Sequence, residues 1–319
     1  MRRTNTNNRN RKRSASRRTG WAAARRPLGL STPGARVGDE RRVAGGAPRR
    51  VFVISDAHGY PELIANALEH GGFRPGADAF VYAGDLVDRG PDPEGCLELV
   101  ETYATEVLVG NHELAVLEGF DLFEQTSESR RLRRVFLDRV LSSDRATAWK
   151  AVTCVDGVLI SHAGIARHYA PAFHRDCLGR PELLADLLNR EFLQAVRREL
   201  ECGDWDDDGI LGDRGPLWFR PDGWAGAGPL PGVTQVVGHS PPVPALEADG
   251  FFMVDPCVFR GRGDPLRYRY AVIEAGRVRV EEGMLPTDAS VRSAESPGRP
   301  LPARGGVGCD VGMEGTDGL

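Results

Sequence analysis

The sequence contains no run of 18 apolar residues, so no segment is read as crossing a membrane. Its six cysteines (Cys96, Cys154, Cys177, Cys202, Cys257 and Cys309) include no CxxC pair and follow no secretory signal. That argues against a disulfide framework or a zinc knuckle and points to reduced thiols in a cytoplasm. No internal repeat is present. Positive charge is scarce after residue 50, where 26 basic residues face 43 acidic ones, whereas residues 1–50 carry 15 basic and only 2 acidic.

The basic start, rich in Arg, Asn, Ser, Gly and Pro, lacks apolar periodicity and cannot bury enough surface to offset the entropy of ordering. Residues 1–49 are therefore expected to be a disordered tail. It reads either as a solvated or mis-started segment or as an arm for nucleic acid. Its twin arginines precede no apolar stretch, so it is no export signal. Residues 286–319 read as a second low-order tail, which leaves one domain over 50–285 with ample length for a core.

From residue 50 short apolar runs alternate with helical patterns. "RVFVIS", "DAFVYAG" and "EVLVG" read as strands, "PELIANALEHG" and "PDPEGCLELVETY" as helices, the second with Asp92 as N-cap and Pro93 in its first turn. Residues 113–142 and 182–200 are expected to form a helical cap beside the sheet. Further on, "AVTCVDGVLISHAG", "VTQVVGHS", "GFFMVDP" and "RYRYAVIEAGRVRVEE" read as strands, with hairpin turns at Asp156-Gly157 and Ala275-Gly276. The expected class is α/β: a two-sheet mixed β-sandwich flanked by helices with a helical cap insertion.

Five apolar runs end in polar clusters: "VFVISDAHG", "FVYAGDLVDRG", "VLVGNHE", "VLISHAG" and "TQVVGHS". In α/β sheets the carboxyl ends of strands form the ligand crevice, so Asp56, His58, Asp85, Asn111, His112, His162 and His239 are aimed at one place. Four of the seven histidines sit in these clusters; His70, His168 and His174 do not and are assigned to surface or core. Imidazole and carboxylate without thiolate suit zinc, iron or manganese. A pair of divalent ions needs a bridging carboxylate, polarises a phosphoryl oxygen and makes hydroxide available near neutral pH.

On these motifs the sequence resembles the calcineurin-like metallophosphoesterases, in particular the branch that holds phosphoprotein phosphatases and symmetrical dinucleoside tetraphosphatases. The ordered signatures GDxHG, GDxVDRG, GNHE and two later histidines appear as "SDAHG", "GDLVDRG", "GNHE", "SHAG" and "GHS". The resemblance implies that Asp56 and His58 bind a first metal, that Asp85 bridges, and that Asn111, His162 and His239 complete a second. It further implies His112 as general acid, Asp88 as the carboxylate that orients it, and Arg89 as phosphate clamp. Arg220 is the candidate second clamp, or else it packs on Trp218 or Trp224. Manganese is the metal expected, with iron or zinc as alternatives.

Three positions depart from the family pattern. Ser55 replaces a glycine, Val109 stands where an arginine precedes GNHE in eukaryotic-type protein phosphatases, and "GHSPP" replaces GHxH. The last argues against the cyclic-nucleotide phosphodiesterase and nuclease branches. "DWDDDG" (Asp204, Asp206, Asp208) copies the opening of a calcium loop, but Gly215 holds position twelve and no helix pair brackets it, so it reads as a solvated acidic loop.

The expected function is hydrolysis of a phosphate ester by in-line attack of hydroxide, on a phosphomonoester or phosphoprotein, with a dinucleoside polyphosphate as the alternative substrate. The rival of another class is a non-catalytic binding protein held on nucleic acid by its basic tail. Decay of the metal set would favour it, and all six positions are present.

Overall fold

The structure, a computed structural model, describes residues 50–285 apart from 121, 122, 124, 145, 168–176, 178, 204–208, 222–227 and 259–265. Both expected tails, His168, His174, Cys309, Trp224 and the acidic stretch Asp204–Asp208 lie outside the described residues. The other five cysteines are free thiols. Among the described residues, no helix is long and apolar enough to cross a membrane.

Two sheets form the frame. β1 (Val51–Ile54), β2 (Ala79–Tyr82) and β3 (Glu106–Val107) pair in parallel, joined through α1 (Pro61–His70) and α2 (Pro93–Tyr103). β8 (Arg267–Glu274) runs antiparallel to β1 and carries β9 (Arg277–Met284), giving the order β3-β2-β1-β8-β9. The second sheet has the order β4-β5-β6-β7, from β4 (Val152–Val155), β5 (Val158–Ser161), β6 (Gln235–Val237) and β7 (Phe251–Met253), with β4 its antiparallel member.

The sandwich follows from a period of two. Successive strand side chains point to opposite faces, so Val51, Val53, Val81, Ile160, Val236 and Ile273 make one core between the sheets. Phe52, Ile54, Phe80 and Tyr82 point the other way, into the core shared with Leu63, Ile64, Ala67 and Leu68 of α1. Both hairpins close as expected: Asp156 and Gly157, and Ala275 and Gly276, all have positive φ. Asp92 caps α2 by accepting the Gly95 N–H at 2.8 Å.

Two expectations change in detail. The strand in "EVLVG" stops at Val107, because Lys150 takes over: its N–H donates to the Val107 carbonyl, and its own carbonyl accepts the Val109 N–H at 2.8 Å. Residues 113–142 divide into α3 (Asn111–Glu118), α4 (Ser127–Arg131) and α5 (Arg133–Val140), with Gly119 ending α3 in the left-handed region. α6 (Pro181–Cys202) lies along β4 and β5, and the short α7 (Pro244–Glu247) precedes β7.

Gly84, at the end of β2, marks where the sheets meet. Its φ is +92°, and an added Cβ would stand 2.6 Å from the Gly110 nitrogen and 2.8 Å from His162 Nδ1. Gly84→Ala is expected to destabilise the protein by about 2 kcal/mol or more, since it combines left-handed strain with overpacking. Urea unfolding of the two proteins measures this, and equal midpoints would refute the tight fit.

Candidate active site

Each polar cluster is placed by the strand before it. Asp56 and His58 follow β1; Asp85, Asp88 and Arg89 follow β2; Asn111 and His112 open α3; His162 follows β5; His239 follows β6. The first two loops are zipped by backbone bonds from Asp56 to Gly84, His58 to Asp85 and Gly59 to Leu86. Asp56, His58, Asp85, Asp88, Asn111, His112, His162 and His239 are all buried.

Asp85 occupies the centre. Its Oδ2 lies 3.5 Å from His58 Nε2 and 3.7 Å from His112 Nε2, and its Oδ1 lies 3.4 Å from His162 Nε2. Two sets of potential ligand atoms share this carboxylate, one with His58 and His112, the other with His162 and His239. Asp56 stands beside the first set, Oδ1 being 3.8 Å from His58 Nε2 while Oδ2 accepts the His239 N–H at 3.0 Å. Asn111 Oδ1 stands within the second, 2.9 Å from His162 Nε2 and 3.1 Å from His239 Nδ1. The six residues expected to hold metal are thus brought together.

The donor chemistry fits divalent cations. His58 Nδ1 donates to the Val87 carbonyl at 2.8 Å, which turns the Nε2 lone pair inward. That buried Nε2 has no hydrogen-bond partner. His162 is oriented the same way by the Ala83 carbonyl at 2.9 Å, and His239 by the Trp218 carbonyl at 3.2 Å, on Nε2, leaving Nδ1 inward. A buried acceptor lone pair facing carboxylates is costly unless a cation joins them.

The electrostatics describe a site balanced by protons. Burial would raise the Asp85 carboxyl, but the His162 and His112 imidazoles hold it well below the usual range. Burial would lower His162, yet the Asp85 carboxylate pushes it up to about 10. Burial drives His58 well below its ordinary value, with His112 adding to the effect, and lowers His239 likewise, with His162 second. Asp56 is raised well above normal by burial and by neighbouring Asp255.

His112, Asp88, Arg89 and Arg220, also expected at the site, make the following contacts. His112 Nδ1 meets Asp88 Oδ2 at 2.7 Å, a distance that puts the proton on Nδ1 and aims Nε2 at the cleft. Arg89 donates to the Val258 carbonyl at 2.7 Å and lies 3.5 Å from His112 Nε2. Arg220 donates to the His239 carbonyl at 3.2 Å and the Ser240 hydroxyl at 3.3 Å.

The departures have local explanations. Ser55 Oγ donates to the Ala83 carbonyl at 3.0 Å and ties the first two strand ends together. Val109 is buried in the helix-facing core.

Sequence reasoning missed four residues here. Glu113 gathers the strand ends: its carboxylate accepts from the backbone of Gly110, Asp85, Leu86 and Val87 at 2.9, 2.7, 2.7 and 3.3 Å. Its place three residues after the helix start was a legible signal. Asp255 follows β7 as a sixth polar strand end, buried, with its pKa raised chiefly by burial. Phe123 and Trp218 line the histidine side, and no pattern in the sequence marks them.

Apolar strands that deliver a carboxylate between two imidazole sets define a metallophosphoesterase centre, and the comparisons agree. The chain belongs to the calcineurin-like phosphoesterases, whose family pattern matches residues 49–243. It is 40% identical over 71 residues to serine/threonine-protein phosphatase 1 of Salmonella typhimurium, or 22% of this chain and 33% of that protein. It is 31% identical over 133 residues to the symmetrical bis(5'-nucleosyl)-tetraphosphatase of Citrobacter koseri, or 40% of this chain and 47% of that protein. The chain thus spans between a third and a half of the length of these curated relatives. A solved cold-active protein tyrosine phosphatase shares the fold, with TM-score 0.51, 17% identity, and coverage of 75% of this chain and 79% of that one.

With His162 pushed up to about 10, its imidazole carries a proton at pH 7, one that a cation held at Nε2 would displace. Below pH 10 metal affinity should therefore rise with pH, and uptake at pH 7 should release about one proton or more per chain. Calorimetry in buffers of different ionisation enthalpy measures this. Heats independent of the buffer would contradict it.

Proposed function

We propose that residues 50–285 form a dinuclear-metal phosphoesterase domain acting on a phosphomonoester in the manner of a serine/threonine phosphatase. The observation that carries this is Asp85, a single buried carboxylate facing His58 with one oxygen and His162 with the other. Asp56, His58 and Asp85 would hold one ion, and Asp85, Asn111, His162 and His239 the second. When bound, such ions polarise a phosphoryl oxygen and lower the pKa of water. The oxygen and imidazole donors, without thiolate, suit manganese, with iron or zinc as alternatives.

The chain's own groups supply the rest. His112 Nε2 faces the cleft and delivers a proton to the leaving oxygen, and Asp88 on Nδ1 orients the ring. Arg89, beside His112, and Arg220, beside His239, supply guanidinium groups that bind the non-bridging oxygens of the phosphoryl group. Both are already tethered to backbone carbonyls, which reduces the ordering cost of gripping the substrate.

A second reading, hydrolysis of a dinucleoside polyphosphate, is favoured by the longer 133-residue alignment with the tetraphosphatase. A cytoplasmic location is part of the proposal; residues 1–49 stay open between a solvated or mis-started segment and an arm for nucleic acid.

Metal-loaded protein assayed on phosphopeptides, dinucleoside tetraphosphate and simple monoesters distinguishes the substrate classes. Chelation should abolish turnover and manganese should restore it; equal rates with and without chelator would end the proposal. His112→Asn should slow an alkyl phosphate by about 10² to 10⁴, and an activated aryl phosphate far less, because a good leaving group needs no proton. Equal losses on both esters would remove His112 from the acid role.

A further inference from the structure

We propose that Phe123 and Ser129 position the acid pair, with Ser129 holding the backbone of Asp88 and Phe123 fixing the plane of the His112 ring. This rests on the reading of His112 as the acid. It assigns roles to a segment outside the family's motifs.

The turn that carries Asp88 is strained. Asp88 and Arg89 are consecutive non-glycine residues with φ of +68° and +55°, a conformation that L residues adopt only when their surroundings enforce it. The Asp88 N–H donates to Ser129 Oγ at 3.0 Å, across 41 residues of chain, and both residues are fully buried. Ser129 is fixed in turn by Thr126, the N-cap of α4: Thr126 Oγ1 accepts the Ser129 N–H at 3.0 Å and lies 2.8 Å from Ser129 Oγ. The hydroxyl that receives the strained turn is therefore anchored by a helix cap.

The second half is the imidazole itself. The hydrogen bond to Asp88 fixes the Nδ1 corner of His112, and the His58 ring meets it edge-on with centroids 4.6 Å apart. Phe123 covers a face of the imidazole by stacking on it, with centroids 4.0 Å apart and planes 19° from parallel. Phe123 is backed by Trp218 at 5.8 Å, whose ring stands 6.4 Å from that of His239. The stack aims Nε2 along the cleft, toward Asp85 at 3.7 Å. Positioning of this kind matters most where a proton must arrive in the transition state.

Phe123→Leu, Phe123→Tyr and Ser129→Ala, each loaded with metal to the wild-type content, test this on an alkyl phosphate and on para-nitrophenyl phosphate. Phe123→Leu and Ser129→Ala should lower kcat on the alkyl ester by about 10- to 100-fold, while KM and the aryl rate stay within about threefold. Phe123→Tyr, which keeps a flat ring, should retain wild-type behaviour. In zinc-loaded protein, the His112 ring protons should be shifted upfield by the stacked ring, and should move downfield in Phe123→Leu but not in Phe123→Tyr.

Equal losses on both esters, an unchanged alkyl rate, or His112 resonances indifferent to Phe123→Leu would each overturn the inference. A wild-type protein inert toward every ester would overturn the phosphoesterase reading and this inference with it. Active wild type with indifferent variants would overturn the inference alone.

Discussion

Everything at the site turns on one buried carboxylate held against three imidazoles. Asp85 is withdrawn from water, which by itself would favour its neutral form, yet His58, His112 and His162 lie within 4 Å of its oxygens and keep it charged. A buried charge must be matched. The His162 imidazole, pushed up to about 10 by Asp85, matches it. The same carboxylate joins two sets of potential ligand atoms, one with His58 and His112 and the other with His162 and His239.

Backbone conformation shows what it costs to assemble this centre. Asp56, His58, Asp85, Asp88, Arg89 and His239 all have positive φ, whereas each hairpin turn places one non-glycine residue there, Asp156 and Ala275, beside its glycine. Strain of this kind persists where surrounding structure over-determines it. Here the constraint comes from the sandwich core, from the zipped loops after β1 and β2, and from the Glu113 carboxylate. That last group binds four backbone N–H groups from the two loops that carry Asp85, Asn111 and His112. Stability and chemistry therefore share residues, and the strand ends could not be relaxed without moving the donors.

Much of this was legible because each donor follows an apolar run. A strand buried on both faces announces itself, and the polar residues after it have few places to go except the crevice at its end. Asp92, Pro93 and the two Gly-containing hairpins were legible for equally local reasons. What was illegible depends on contacts distant in the chain. The short β3 results from Lys150 replacing a strand partner, and the break at Gly119 divides what periodicity alone would join. Asp255 looked like an ordinary strand end until Asp56 was seen beside it. The bonds of Arg220 to His239 and Ser240 join residues 19 and 20 positions apart and have no local signature, and Phe123 has no local pattern to distinguish it from any loop aromatic.

The claim that Asp85 unites two cation sites is tested most directly by electron paramagnetic resonance of the protein titrated with manganese. Two ions sharing one carboxylate should give a spin-coupled spectrum at two equivalents, and Asp85→Asn should lose that coupling. A spectrum of isolated manganese at every stoichiometry, in the wild type and the variant alike, would contradict the account.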